Sequence, residues 1–118
     1  MAEQPKRLGA ITSTVAVTGE ASSGQILYTV PASTSAIVST VIVCNRGGAS
    51  GTFRLAHVDG GGVAQLADED YLYYDVTIPG NDTFTATIGL GMEATDSLVI
   101  KGSLEAINFV AEGIEITA

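Results

Sequence analysis

The chain has 118 residues, 46% of them hydrophobic and 15% charged, with five basic side chains against thirteen acidic ones and a formal net charge of −8. That length suits one domain with one core, and the composition excludes the disordered class, whose polar, highly charged chains cannot offset the entropy of ordering. Its bases are scattered at Lys6, Arg7, Arg46, Arg54 and Lys101, so no cationic stripe exists to release counterions from phosphates, and nucleic acid is excluded as a partner.

In chain order, MAEQPKRLGA lacks the apolar centre of a signal peptide. The expectation is a protein made and kept in a cytoplasm, with residues 1–8 forming an extended arm. A first strand is expected over Leu8–Val17, rich in Val, Ile and Thr, whose branching at Cβ suits a pleated surface. The stretch ILYTVPASTSAIVSTVIVCN, residues 26 to 45, is the most apolar of the chain. A membrane helix needs about 20 unbroken apolar residues, and Ser39 and Thr40 interrupt the run, so no membrane span is expected. Pro31 cannot donate to a ladder; it divides the stretch into strands Gln25–Val30 and Ala36–Cys44. In the second, Val38, Thr40, Ile42 and Cys44 are expected to oppose Ile37, Ser39, Val41 and Val43, so both faces are largely apolar. A strand of that kind is central and covered on both sides, and in a chain with few helices the second cover would come from a neighbouring subunit. The alternative is a half-exposed strand marked by Ser39 and Thr40.

Further strands are expected over Thr52–Val58, Leu72–Ile78, Thr83–Ile88, Ser97–Lys101 and Ala106–Ile116, the last bending near Gly113. Between them lie NRGGASG, DGGGVAQLADED, PGND, GLGMEATD and GSLE, all with turn chemistry. Only Ala67–Tyr71 is a candidate for a helical turn. Thr83, Thr85 and Thr87 alternate with Phe84, Ala86 and Ile88, the mark of a sheet with one face on the core. Eight short antiparallel strands with frequent turns give an all-β domain over residues 1–118, a single β-sandwich with jelly-roll-like connections.

Few residues offer chemistry. Cys44, the single cysteine, allows no intramolecular disulfide and reads as a buried small hydrophobe. His57, the single histidine, falls on the face of Phe53 and Leu55 with no nucleophile at a recognisable spacing, and reads as a structural or interface residue rather than an acid or base. Asp68, Glu69, Asp70 and Asp75 lack the EF-hand pattern; a solvated loop accounts for them, with Ca²⁺ the alternative. Gly60–Gly62, Gly89 and Gly91 lie in no strand-turn-helix context and read as turns rather than a phosphate cradle. No enzyme activity, cofactor or metal is therefore expected. Tyr71 and Tyr73 are expected to share a face with Asp75 and Thr77, opposite Leu72, Tyr74 and Val76. They suit packing on the sandwich, a subunit contact or a carbohydrate platform.

The segments LYTVPASTSAIVSTVIVCN with the Asn45-Arg46 corner, DYLYYDVTIPGNDTFTATIGLGM and NFVAEGIEIT resemble a family of small proteins encoded by tailed bacteriophages. The likeness runs from about Ile26 to Thr117 and is weakest in the acidic loop 59–70. It implies a non-enzymatic virion component, assembled in the host cytoplasm, that binds the major capsid protein or other virion proteins. A head decoration or cement protein, as a homo-oligomer with a trimer favoured, is one placement; a tail-associated protein of the adsorption apparatus is the other. A carbohydrate-binding module remains a third reading. The contact residues expected on this basis are Lys6 and Arg7 on the arm, Val38 and Ile42 on the apolar strand, and Tyr71 and Tyr73.

Overall fold

The computed structural model describes residues 2–12, 25–60, 62–104 and 106–117. Eight strands follow one another: β1 (Ala2–Thr12), β2 (Gln25–Thr29), β3 (Thr34–Asn45), β4 (Gly51–Val58), β5 (Tyr71–Ile78), β6 (Asp82–Met92), β7 (Ser97–Gly102) and β8 (Ile107–Thr117). Two short 3₁₀ turns, Gly62–Gln65 and Asp68–Asp70, sit in the β4–β5 connection; the second falls inside the segment expected to turn, and the first was not foreseen. The expected strand Leu8–Val17 begins earlier, and its residues 13–17 lie outside the described residues. Among the described residues no helix is long and apolar enough to cross a membrane.

The strands form two four-stranded antiparallel sheets, ordered β1-β8-β3-β6 and β2-β7-β4-β5, which we call sheets A and B. Strand pairs β1–β8, β2–β7, β3–β6 and β4–β5 are all hydrogen-bonded. This nesting, first with last and inward from there, is a long hairpin rolled into two layers, the jelly roll. The greasy stretch at 26–45 is explained by that roll: β2 lies in sheet B, β3 in sheet A, and Pro31 stands where the chain crosses between them. Val30 anchors the crossing, its N–H donating to the Asp96 carbonyl and its carbonyl accepting from Thr95 N–H, both at 2.9 Å.

The core lies between the sheets. Phe53 and Tyr73 from sheet B meet Phe84 and Phe109 from sheet A, with Phe53 centroids 5.2 Å from Phe84 and 6.2 Å from Phe109. Val41, Val43, Leu55, Ile78, Leu98, Ile100 and Ile107 fill in around them, all essentially inaccessible to solvent. At one margin the Tyr28 hydroxyl, on sheet B, donates to Glu115 Oε2 on sheet A, and Lys6 Nζ lies 2.6 Å from Glu115 Oε1. Lys6 first, then Tyr28, hold the Glu115 carboxyl below the usual carboxylate range; burial and that same carboxylate push the Tyr28 phenol up.

Three findings correct the expected alternation. Residues 2–8, expected as an arm, are part of edge strand β1, paired along one side with β8 from Ala2↔Thr117 to Arg7↔Glu112. Ser39 is a bulge: the β3 register skips it against both β6 and β8, and a bulge rotates everything beyond it onto the opposite face. Val38 therefore points into the core with Val41 and Val43, while Ile37, Thr40, Ile42 and Cys44 point out. In β5 the register shifts twice, at Leu72 and at Tyr74-Asp75, with Asp75 in the left-handed region at φ 51°. Tyr73 and Val76 consequently turn to the core, and Tyr71 and Tyr74 turn away from it.

Gly113 continues the β8 register opposite Lys6 and Val38. Its role is close approach, since a Cβ there would overlap the Ile37 carbonyl.

Candidate interaction surfaces

The outer face of sheet A is the larger candidate. Register places Ala10, Val110, Ile42 and Thr85 in one row across the sheet, Pro5, Ile114, Ile37 and Gly91 in another, and Thr12, Asn108, Cys44 and Thr83 in a third. Among the described residues, β3, β6 and β8 put one charged side chain on this face, Glu112, opposite Arg7 of β1. Ile37 is 42% exposed; Ile42, Val110 and Ile114 are half-buried. The bulge at Ser39 and the register shift at Leu8 open a shallow depression in this face, lined by Pro5, Lys6, Arg7, Ser39, Glu112 and Ile114. Asn108 ties one end together, its Oδ1 accepting from the Thr12 hydroxyl and from Arg46 Nε–H.

Sheet B treats its own outer face differently. Ala56, Val58 and Val99 are roofed by Val63, Leu66 and Tyr71, so the β4–β5 connection folds back as a lid over its own sheet. The strands covered on both sides by their own chain are thus β4 and β7. Their sequence signal is the unbroken Leu98-Val99-Ile100 run, which the reading of β3 as the doubly covered strand passed over.

Beside that lid lies an aromatic and ionic cluster. Arg54 makes a forked pair with Asp75, Nε to Oδ1 at 2.6 Å and Nη2 to Oδ2 at 3.1 Å. Its guanidinium carbon sits 4.0 Å from the Tyr74 ring centroid, and Tyr74 meets Tyr71 edge-on at 4.9 Å. Asp75 is held below the usual carboxylate range, first by the Arg54 hydrogen bond and then by the charges of Arg54 and Lys101. Tyr74 is 57% exposed, but Arg54 stacks on one side of its ring, in a cation–π arrangement.

At one end of the sandwich an open cleft of about 440 Å³ is lined by His57, Asp59, Glu69, Asp70, Glu93 and Asp96, with Leu72 and Gly91. His57 Nε2 lies 2.9 Å from Asp96 Oδ2, and that oxygen also accepts the Glu93 N–H at 3.0 Å. Burial pushes the Asp96 carboxyl up, but His57, the Glu93 N–H and neighbouring Asp59 outweigh it and hold it below the usual range. Among the described residues that line it none carries a hydroxyl or thiol; the pair bridges β4 and the β6–β7 turn. Among the described residues no three His, Cys, Asp or Glu side chains group as ligands for one metal ion.

No protein-family model and no curated protein matches this sequence.

The six expected contact residues scatter over the molecule. Lys6 and Arg7 are exposed on β1, and both line the sheet A depression. Ile42 belongs to the outer face of sheet A. Val38 does not: it is 0% exposed, turned inward by the Ser39 bulge, and is unavailable to any partner of the folded chain. Tyr71 lies on the opposite side of the sandwich, partly under the β4–β5 lid. Tyr73 packs on Phe53 and Phe84, 6.3 and 5.5 Å away, and is a core residue. Ile37, Val110 and Ile114 on sheet A, and Tyr74 on sheet B, are the accessible residues that strict alternation overlooked.

Proposed function

We propose that the protein is a non-enzymatic virion structural protein of a tailed bacteriophage, a head decoration or cement protein that docks the outer face of sheet A on the major capsid protein lattice. The observation that carries this reading is the contrast between the two outer faces. Sheet B is roofed by its own chain over Ala56, Val58 and Val99, with Ile26, Leu72 and Tyr74 left exposed on its two edge strands, whereas sheet A has no such roof among the described residues and offers Ile37, Ile42, Val110 and Ile114 among threonines, with Glu112 the one charge from three of its strands. Isolated exposed apolar residues are ordinary, but here two apolar rows, Ile37-Ile114 and Ile42-Val110, flank the Glu112-Thr40 row, and a sheet face so poor in charge is the kind of surface that association buries. Arg7 and Glu112 at the depression would then supply polar contacts at the rim, the Lys6 ammonium being held by Glu115 at the margin between the sheets. The likeness to small phage proteins agrees with this role, and jelly rolls occur in capsid and lectin domains, an analogy of fold and not of site.

A homo-oligomer, a trimer by that likeness, is the assembly proposed for this role, in the virion. The tail-associated and carbohydrate-binding readings are weaker. The tyrosines that would make a glycan platform are divided between core and surface, and Arg54 already stacks on Tyr74. Quantitative mass spectrometry of purified particles of the encoding phage tests the proposal. Hundreds of copies per particle are expected; a dozen or fewer would move the protein to the tail, and its absence would overturn the virion role.

A further inference from the structure

The sandwich has four edges, and three of them carry features that discourage strand addition. Edge β1 has Pro5, Lys6, Arg7 and a register shift; edge β5 has two bulges and Asp75 in the left-handed region; edge β2 is five residues long with a register shift of its own. Prolines, charges, bulges and shortness are the devices by which natural sheets keep edges from pairing. Edge β6, between Asn81, at φ 57°, and Gly89, also at φ 57°, carries one charge at Asp82 and a register shift at Ile88-Gly89, but none of these devices over Thr83–Thr87. These two kinks bracket Asp82–Ile88, DTFTATI, with no charge after Asp82 and no irregularity against β3 through Thr87.

From this edge we infer that the protein self-associates by antiparallel pairing of β6 with β6 of a second copy, about a two-fold axis at Thr85. The register follows from the segment itself. Thr85 is the midpoint of Asp82–Ile88, so pairing there uses the whole flat segment and ends at both kinks. Thr85 then faces its twin, Thr83 faces Thr87, and on the core side Phe84 faces Ala86, large against small. Threonine pairs are among the favourable cross-strand contacts. The two Asp82 carboxylates fall opposite Ile88 at either end, about 20 Å apart along the strands, beyond the Debye length at physiological salt. Such an interface is isologous, the same patch used twice, and closes as a dimer. Sheet A becomes a continuous eight-stranded sheet whose outer rows run Val110, Ile42, Thr85, Thr85, Ile42, Val110 from one copy to the other. The outer apolar field is thereby doubled without being covered. The two-fold contact stands independently of what that field binds, and a trimer would have to be built on another surface.

Sedimentation velocity and site-directed cross-linking test the pairing. At tens of micromolar the wild type is expected to sediment as a dimer. Thr85→Lys, which sets two ammonium groups face to face on an exposed position, is expected to sediment as a monomer with an unchanged far-ultraviolet spectrum, while Thr117→Lys, away from β6, stays dimeric. In a Cys44→Ser background, Thr85→Cys is expected to link with a short bismaleimide at least tenfold faster than Thr83→Cys, whose twin lies about 14 Å away. A monomeric wild type, or equal linking of the two cysteine variants, would overturn the inference. The cross-linking arm decides the matter even if the lysine variant does not fold.

Discussion

Asn45 is the residue on which the loops at one end of the sandwich converge, and its replacement makes a sharp test of how sheet A is fastened to sheet B. It is 0% exposed. Its Nδ2 donates to the carbonyls of Ala49 at 2.8 Å and Ile78 at 3.3 Å, and its Oδ1 accepts Gly47 N–H at 3.0 Å. Nearby, Asn81 N–H donates to the Gly47 carbonyl, so the Asn45-Arg46 corner and the Pro79-Gly80-Asn81 turn, two of the motifs carrying the phage likeness, dock on each other. Asn45→Ala removes three hydrogen bonds worth about 1 kcal/mol each net, and the buried Ile78 carbonyl has no water to replace its donor, so a loss of about 3 kcal/mol is expected. With an unfolding entropy of about 2.1 cal/mol/K per residue, that lowers Tm by about 12 °C. Asn45→Asp discriminates the cause. It keeps the shape and the Gly47 acceptor but turns a carboxylate oxygen towards two carbonyls, and so should cost more than alanine. Urea unfolding followed by circular dichroism at pH 7 gives both values. An aspartate variant more stable than the alanine variant, or an alanine variant within about 1 kcal/mol of wild type, would refute the hydrogen-bonding account.

The Ser39 bulge predicts that neighbours in sequence differ in cost: Val38→Ala should lose about 2 kcal/mol, roughly 0.8 for each missing carbon plus the cavity, and Ile37→Ala, at a position 42% exposed, less than about 1 kcal/mol by the same unfolding assay. Gly80→Ala should lose about 2 kcal/mol by overpacking, because its Cβ would overlap the Gly48 backbone carbonyl, which shifts only by parting the docked loops; thermal melting measures this. Asp96, held below the ordinary carboxylate pKa, contributes stability that is complete above about pH 4 and is lost as pH falls through its lower folded value. Asp96→Asn should therefore lower stability at pH 7 by about 2 kcal/mol and flatten the acid limb of the stability profile below about pH 4, as read by urea midpoints across pH.

What was legible in the sequence was whatever local chemistry dictates. Pro31 divided the apolar stretch at the crossing between sheets, and Thr83, Thr85 and Thr87 showed β6 to be wet on one side; every expected strand has its counterpart. What failed was the assignment of faces, and for one reason. Alternation carries a face forward only while each residue takes one step, and a single bulge reverses every side chain beyond it. Ser39, Leu72 and Asp75 each do this, which sent Val38 and Tyr73 into the core and Tyr74 out. Asp75 is of a type that tolerates the left-handed region, so its bulge had a faint local signature, whereas Ser39 had none. The pairing of residues 2–8 with β8 lay beyond local reading, since the partner is more than a hundred residues away. So did the meeting of Arg54 with Tyr74 and Asp75, and the Asn45 dock.

Cys44 gives the most direct test of the central claim, that another polypeptide covers the outer face of sheet A in the assembled particle. The thiol sits on that face between Asn108 and Thr83, half-buried in the isolated chain. Maleimide labelling of Cys44 should proceed readily in the free protein and at least tenfold more slowly in intact particles, with the free rate restored once they are dissociated. Equal labelling in free and assembled protein would contradict the account.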